Sequence, residues 1–407
     1  VASGTTPYYN SIVGRQWLSR ETLRPVSCVD DDRHHGVGTS ESTSPAELCV
    51  STTTDELKMA TDGQALVYAI AAERDAAVMA AGHAADGAFW IDDMTGEWCS
   101  SQYYFKKMPK WLKSYNQSYA PALKTEGSDE QRFRRFKQSR QSNAEVTNLA
   151  RQCIVSTQMG TDQTPDMLCL TYQAGLPSAP LSKLDAQDVY LHLDYELGQL
   201  VDYTEKWFGK GDVLFVLTGT GYSIEAEPDY EKYRIPTGSF FMDRTVGLLN
   251  MYFGAIWGQD KYVEATYGNQ IFLNHKLLDA KKIKLSDATA QAQELLAMMT
   301  GVKNVYTSLQ LLLTQNRYLQ EMRQGFNPSR CGDLFVEVAP GWRILREDGG
   351  QKPSAKSCPT AFPVIFYGAG VPAQNSRQPV TADRIASTVS RILHIPMPNA
   401  CSSEPLF

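Results

Sequence analysis

Residues Asp212 to Tyr222 read DVLFVLTGTGY. Val213 to Leu217 is an unbroken apolar run, which suits a strand covered on both faces, and the Gly219-Thr220-Gly221 that follows makes an abrupt loop. In an open α/β sheet, ligands sit outside the carboxyl ends of the strands, so Thr218 to Tyr222 are expected at the site. The residues standing there are poor in chemistry, with no carboxylate, imidazole or cation between Asp212 and Tyr222.

Composition excludes several classes of function. A chain of 407 residues, 43% hydrophobic and 21% charged, can bury a large core. Its net charge of -6 gives no basic face for nucleic acid. The run RFRRFK at 132 to 137 is the one basic cluster worth naming, and it reads as a solvated helix face. No apolar run approaches the roughly 18 to 20 residues of a membrane span. Eight cysteines are scattered without a CxxC pair, neither a zinc motif nor a disulfide framework.

Taken in order, the chain alternates strand-like and helix-like segments. Asp30 to His35, DDDRHH, is the densest cluster of potential ligands. Adjacent side chains of an extended loop point to opposite sides, so it reads as a solvated acidic turn. A helix is expected from Ser44-Pro45, closed by Gly63. Residues 65 to 83 read as strand, loop and helix, Ala144 to Gln158 as a helix, and Pro165 to Tyr172 as a strand. Asp185 to Phe208 is a long helix ended by Gly209, with His192 as a surface or interface residue rather than a ligand. Gly247 to Trp257 and Ala288 to Met299 are helical in pattern; YGNQIFLNH and CGDLFVEVAPGW look like strands.

Five stretches carry a resemblance: SGTTPYYNSIVGRQW at 3 to 17, AAGHAADGAFWIDDMTGEW at 80 to 98, LFVLTGTGY at 214 to 222, YGNQIFLNHKLL at 267 to 278 and FPVIFYGAGV at 362 to 371. In this order the chain resembles the alkaline phosphatase superfamily, in the branch of type I phosphodiesterases, nucleotide pyrophosphatases and phosphate-irrepressible periplasmic alkaline phosphatases. The resemblance implies an α/β fold, a mainly parallel sheet sandwiched by helices, with strands near 65 to 70, 166 to 172, 213 to 218 and 363 to 367 in its core. It divides the chain into a core (1 to 222), a smaller α+β insertion (223 to 345) and a final strand and helix (346 to 407). A first strand with a metal-binding Asp, and a Thr or Ser nucleophile, are expected upstream of residue 1. His275 falls at a position that the family uses structurally.

The same resemblance implies two zinc ions, and the matching ligand positions hold Leu176, Pro180, Thr220, Gly221 and Ala361. Leu, Pro, Gly and Ala have no side-chain donor atom, and a Thr hydroxyl is a weak neutral ligand. Where relatives have Lys-x-Arg to grip phosphate, this chain has Glu73 and Asp75 around Arg74, and Arg15 stands for an Asn that holds the phosphoryl group. Like charge beside a phosphate dianion is unfavourable. Arg15, Glu73, Asp75 and Thr220 are what such a cleft retains. The expectation is therefore a catalytically degenerate phosphatase-like protein, binding no metal and serving as a binding or assembly component with a protein partner, in the periplasm or otherwise outside the cytoplasm. The alternative is a hydrolase of phosphate esters with an altered or partner-completed site.

Overall fold

In the computed structural model two fully buried strands, VYAIA and GAFWI, lie side by side within a five-stranded sheet. The strands of the first sheet are β1 (Gly36–Val37), β2 (Val67–Ala71), β3 (Gly87–Ile91), β4 (Trp98–Ser101) and β5 (Met167–Thr171), in the spatial order β1-β4-β3-β2-β5. β2 pairs in parallel with β3 and with β5, while β3–β4 and β1–β4 are antiparallel. Every residue of β2 and β3 is buried, as a parallel strand covered on both faces requires. The structure describes residues 1–124, 132–175, 183–219, 222–224, 229–345, 357–359 and 361–407.

Helices cover this sheet. α1 (Thr53–Ala60), α2 (Arg74–Ala81), α3 (Arg132–Lys137), α4 (Gln141–Thr157) and α5 (Lys183–Phe208) belong to the same unit, as does α8 (Arg384–Leu393) near its end. Val146, Leu149, Ala150 and Cys153 of α4 share a core with Ile70, Phe89, Ile91 and Trp98. Removing these side chains from water stabilises the unit by about 1.5–3 kcal/mol per large aliphatic residue. Gly209, at φ 111°, follows α5 where a side chain would be strained.

The α/β class holds, with two departures in detail. Leu214–Thr218 (β6) and Val364–Gly368 (β11) do not join the first sheet; they pair antiparallel with each other, Thr218 opposite Val364. The pairing is accordingly mixed rather than mainly parallel. The helix expected from Ser44 begins at Thr53 instead, where Thr52 and Asp55 form a reciprocal capping box: the Thr52 side chain accepts from the Asp55 N–H, and the Asp55 carboxylate accepts from the Thr52 N–H at 2.9 Å. The stronger cap sets the start.

A second unit joins Ser11–Val26 to Glu225–Ser357. Its antiparallel sheet has the order β7 (Val263–Tyr267), β8 (Gln270–Leu273), β10 (Leu334–Val338), β9 (Val302–Thr307). α6 (Met242–Trp257) and α7 (Leu285–Ala297) pack on it through Leu249, Phe253, Ala292 and Leu296. Arg20 fastens the 11–26 segment by donating to Asp333 Oδ1 at 3.0 Å and to the Cys331 carbonyl at 2.9 Å. No helix among the described residues is long and apolar enough to cross a membrane.

Candidate functional site

The carboxyl ends of β2 and β5 lie at one edge of the first sheet, because the two strands run parallel with Ala71 opposite Thr171. Glu73, the N-cap of α2, follows β2 directly. Its carboxylate lies 3.4 Å from Lys137 Nζ, which also holds Asp93 at 2.5 Å, and Arg134 Nε reaches Asp93 at 3.0 Å. Burial pushes the Asp93 carboxyl up, but Lys137 and then Arg134 outweigh it and leave it below the usual range. RFRRFK is thus not wholly solvated: Lys137 and Phe133 are buried.

Arg74 is engaged by its own neighbours. It donates to Asp30 Oδ1 at 2.7 Å and Thr43 Oγ1 at 3.0 Å, with Glu41 at 3.6 Å. Burial pushes Glu41 up, only partly opposed by Arg74. Asp75 sits in the first turn of α2. Glu73 is therefore no bare carboxylate confronting a substrate; its charge is countered by Lys137, a residue 64 positions downstream (137 − 73) that no local pattern announces.

DDDRHH is more organised than a solvated turn. Asp31 is buried and accepts from Arg33 Nε at 2.8 Å, Ser44 Oγ at 2.6 Å and the His34 ring at 2.8 Å. Arg33 above all, with Ser44 and His34, overcomes burial and holds this carboxyl well below the ordinary range. The cluster closes on itself, and among the described residues no group of three His, Cys, Asp or Glu is placed to hold a metal ion.

At the end of β5, Asn143 of α4 clamps Gln173: its Oδ1 accepts from the Gln173 N–H at 2.7 Å and its Nδ2 donates to the Gln173 carbonyl at 2.9 Å. A cavity of about 210 Å³ opens beside it, lined by Gln138, Ser139, Arg140, Gln141, Gln173, Gly175 and Val189. Leu176 and Pro180 lie outside the described residues, as do Thr220 and Gly221. At the end of β6, an added Cβ on Gly219 would meet Phe362 at 3.1 Å, and the neighbouring Ala361 is exposed. The β6–β11 register thus brings the 219 and 361 positions to the same end of that ribbon. Arg15 is exposed and belongs to the second unit, Glu73 and Asp75 belong to the first, and Thr220 lies outside the described residues.

Two further histidines have local surroundings. His275 Nε2 donates at 2.9 Å to the buried Asp333, which also takes the Leu273 N–H at 2.7 Å, a structural role. His192 is half-buried on α5, with its Nδ1 covered. Cys28, Cys49, Cys99, Cys153, Cys169, Cys331 and Cys401 carry free thiols.

The family described as type I phosphodiesterase / nucleotide pyrophosphatase matches residues 1–361. The alkaline phosphatase PafA of Elizabethkingia meningoseptica is 26% identical over 100% of this chain and 83% of its own length. The alkaline phosphatase PhoV of Synechococcus elongatus is 25% identical, over 98% and 80%. The solved structure of wild-type PafA superposes with a TM-score of 0.85 at 24% identity, covering 100% of this chain and 87% of that one.

Two expectations are corrected by these likenesses. A degenerate binding or assembly component does not fit a chain similar along its whole length to proteins named as alkaline phosphatases. The expectation of no metal falls with it, since the resemblance ties this family to two zinc ions. Ala361 offers no donor to such a centre, the four other positions lie outside the described residues, and among the described residues no other cluster of His, Cys, Asp or Glu is placed to hold a metal ion. No chemical step is therefore routed through an ion. With the sheet, the order of its motifs and the match over residues 1–361 in agreement, the chain belongs to the type I phosphodiesterase / nucleotide pyrophosphatase family.

Proposed function

We propose that this protein hydrolyses phosphate esters at the carboxyl ends of β2, β5 and β6, through a site altered from that of its relatives. The observation that carries the reading is the end-to-end similarity to two proteins named as alkaline phosphatases. Uncatalysed phosphate ester hydrolysis is so slow that an enzyme lowers its barrier by up to roughly 20 kcal/mol or more. Most of that comes from groups positioned to meet the charge of the transferred phosphoryl. In this reading Leu176, Pro180, Thr220, Gly221 and Ala361 do not supply those groups, which come from elsewhere in the protein or from a protein partner that completes the site. The chain's own contribution is a rigid frame: Asn143 fixes the turn after β5, and Lys137 neutralises Glu73 where a negative substrate would approach. A location outside the cytoplasm, in finer form the periplasm, goes with this activity.

The test is turnover of aryl phosphate mono- and diesters by the purified full-length protein, with added zinc, without it, and with a chelator. Turnover above the uncatalysed rate is expected. Its absence under all three conditions overturns the proposal, and its loss with chelator alone assigns the charge-bearing group to an ion.

A further inference from the structure

The GHAADGAFW stretch holds a histidine whose surroundings allow one protonation state. His83 Nδ1 lies 3.0 Å from Asp55 Oδ2, and its Nε2 lies 2.9 Å from the Leu48 carbonyl. A carbonyl oxygen only accepts, so Nε2 carries a proton. The carboxylate also accepts, so Nδ1 carries the other. Both ring nitrogens donate, and the ring is an imidazolium.

The backbone around it is fastened separately. Asp55 Oδ1 accepts from the His83 and Ala84 N–H groups, each at 2.7 Å, while Oδ2 serves Thr52 in the cap of α1. Gly82, at φ 74°, lets the chain pass so close that an added Cβ would lie 2.3 Å from Thr52 Oγ1. The ring therefore does one thing that nothing else in the loop does: it connects this clasp to Leu48.

We propose that His83 is a proton-operated link between the α2–β3 loop and the Leu48 segment, closed while the ring carries both protons and opened when it loses one. Once one ring proton leaves to solvent, a nitrogen lone pair faces either the Leu48 carbonyl or the Asp55 carboxylate at about hydrogen-bond distance, and that contact turns repulsive. The ring swings off one acceptor, and the amide contacts to Asp55 Oδ1 keep the loop in place.

Asp55 and the two tyrosines beside it do not titrate in the same window. Asp55 is raised by burial but lowered more by His83, Ala84 and Thr52, and so stays ionised. Tyr103, whose hydroxyl donates to the His83 carbonyl at 2.8 Å, is held above the usual phenol range by burial and then by Asp55 and Asp31. Tyr104, near the Gly82 carbonyl, is raised well above it by burial, then by Tyr103 and Asp55. The His34 ring packs edge-on against Tyr103 and is bonded to Asp31. His83 itself is raised, first by its bond to Asp55, against burial. A group raised on folding stabilises fully below its unfolded value of about 6.5, and that stability is lost as pH climbs through the folded value.

Two measurements test the link. Hydrogen–deuterium exchange at the ring carbon of His83, followed against pH in the intact protein, should give a midpoint clearly above about 6.5; a midpoint at or below that value overturns the proposal. Between pH 6 and 9 the wild-type melting temperature should fall by about 2–4 °C more than that of His83→Gln, whose amide does not titrate. Equal pH slopes in the two proteins would overturn it as well. Should the variant fail to fold, the ring exchange of the wild type decides.

Discussion

The first sheet and the β6–β11 ribbon are made of the same kinds of residue and buried very differently. VYAIA in β2 and GAFWI in β3 are buried at every position, whereas LFVLT in β6 has no buried residue and VIFYG in β11 alternates half-buried with exposed. β2 has a hydrogen-bonded strand on each side, with α2 and α4 packed against it. Each ribbon strand pairs only with the other among the described residues. An apolar run therefore announces a strand, but its neighbours decide how much of it leaves water.

Truncation in the buried sheet is the largest expected effect. Phe89 is fully buried, stacked between Tyr68 and Phe105 with Trp111 edge-on. Phe89→Ala should cost about 3–5 kcal/mol in chemical denaturation, from lost transfer energy and the cavity left behind. A cost under about 1 kcal/mol would break the comparison, because it would mean that this layer is no tighter than the ribbon.

Asn143→Ala should rank next, at about 1–3 kcal/mol, since it leaves the Gln173 N–H and carbonyl without their partner at the end of β5. It sharpens the contrast, because one side chain from α4 fixes a strand end in the sheet and no comparable clamp is seen on β6 among the described residues. If the phosphatase reading holds, turnover should fall more than stability does, as the turn beside the site loosens. A variant matching the wild type in both denaturation and turnover would remove Asn143 from the frame.

Much of this fold was legible in the chain and much of the site was not. Residues 65 to 70, 167 to 170 and 213 to 217 declare their strands by apolar runs, and the long helix ends at Gly209 as its sequence suggests. The start of α1 was readable too, since Thr52-Thr53-Thr54-Asp55 is a capping box, yet Ser44-Pro45 resembles a helix entry and competes with it. The pairings of Glu73 with Lys137 and of Arg74 with Asp30 and Thr43 were not readable, because each joins residues tens of positions apart through the fold. Function is hard to read for a related reason. Five positions without metal donors are local features, whereas the similarity to phosphatases is spread over the whole chain, and local residue identity says little about which other groups meet the same charge.

The smallest effect is expected where the ribbon is most exposed. Ile365 and Leu217 face each other across β11 and β6, at 46% and 38% exposure. Ile365→Thr keeps the branched side chain that suits a strand and exchanges mainly solvent-facing apolar surface for a hydroxyl. It should therefore change the unfolding free energy by no more than about 0.5 kcal/mol, the usual range for surface substitutions. Cross-strand contact with Leu217 is the one favourable term at risk, and such pairs contribute only about 0.2–1 kcal/mol. A loss as large as that of Phe89→Ala would show that this face is covered in solution, and the difference between sheet and ribbon would then lie in their partners rather than in their layers.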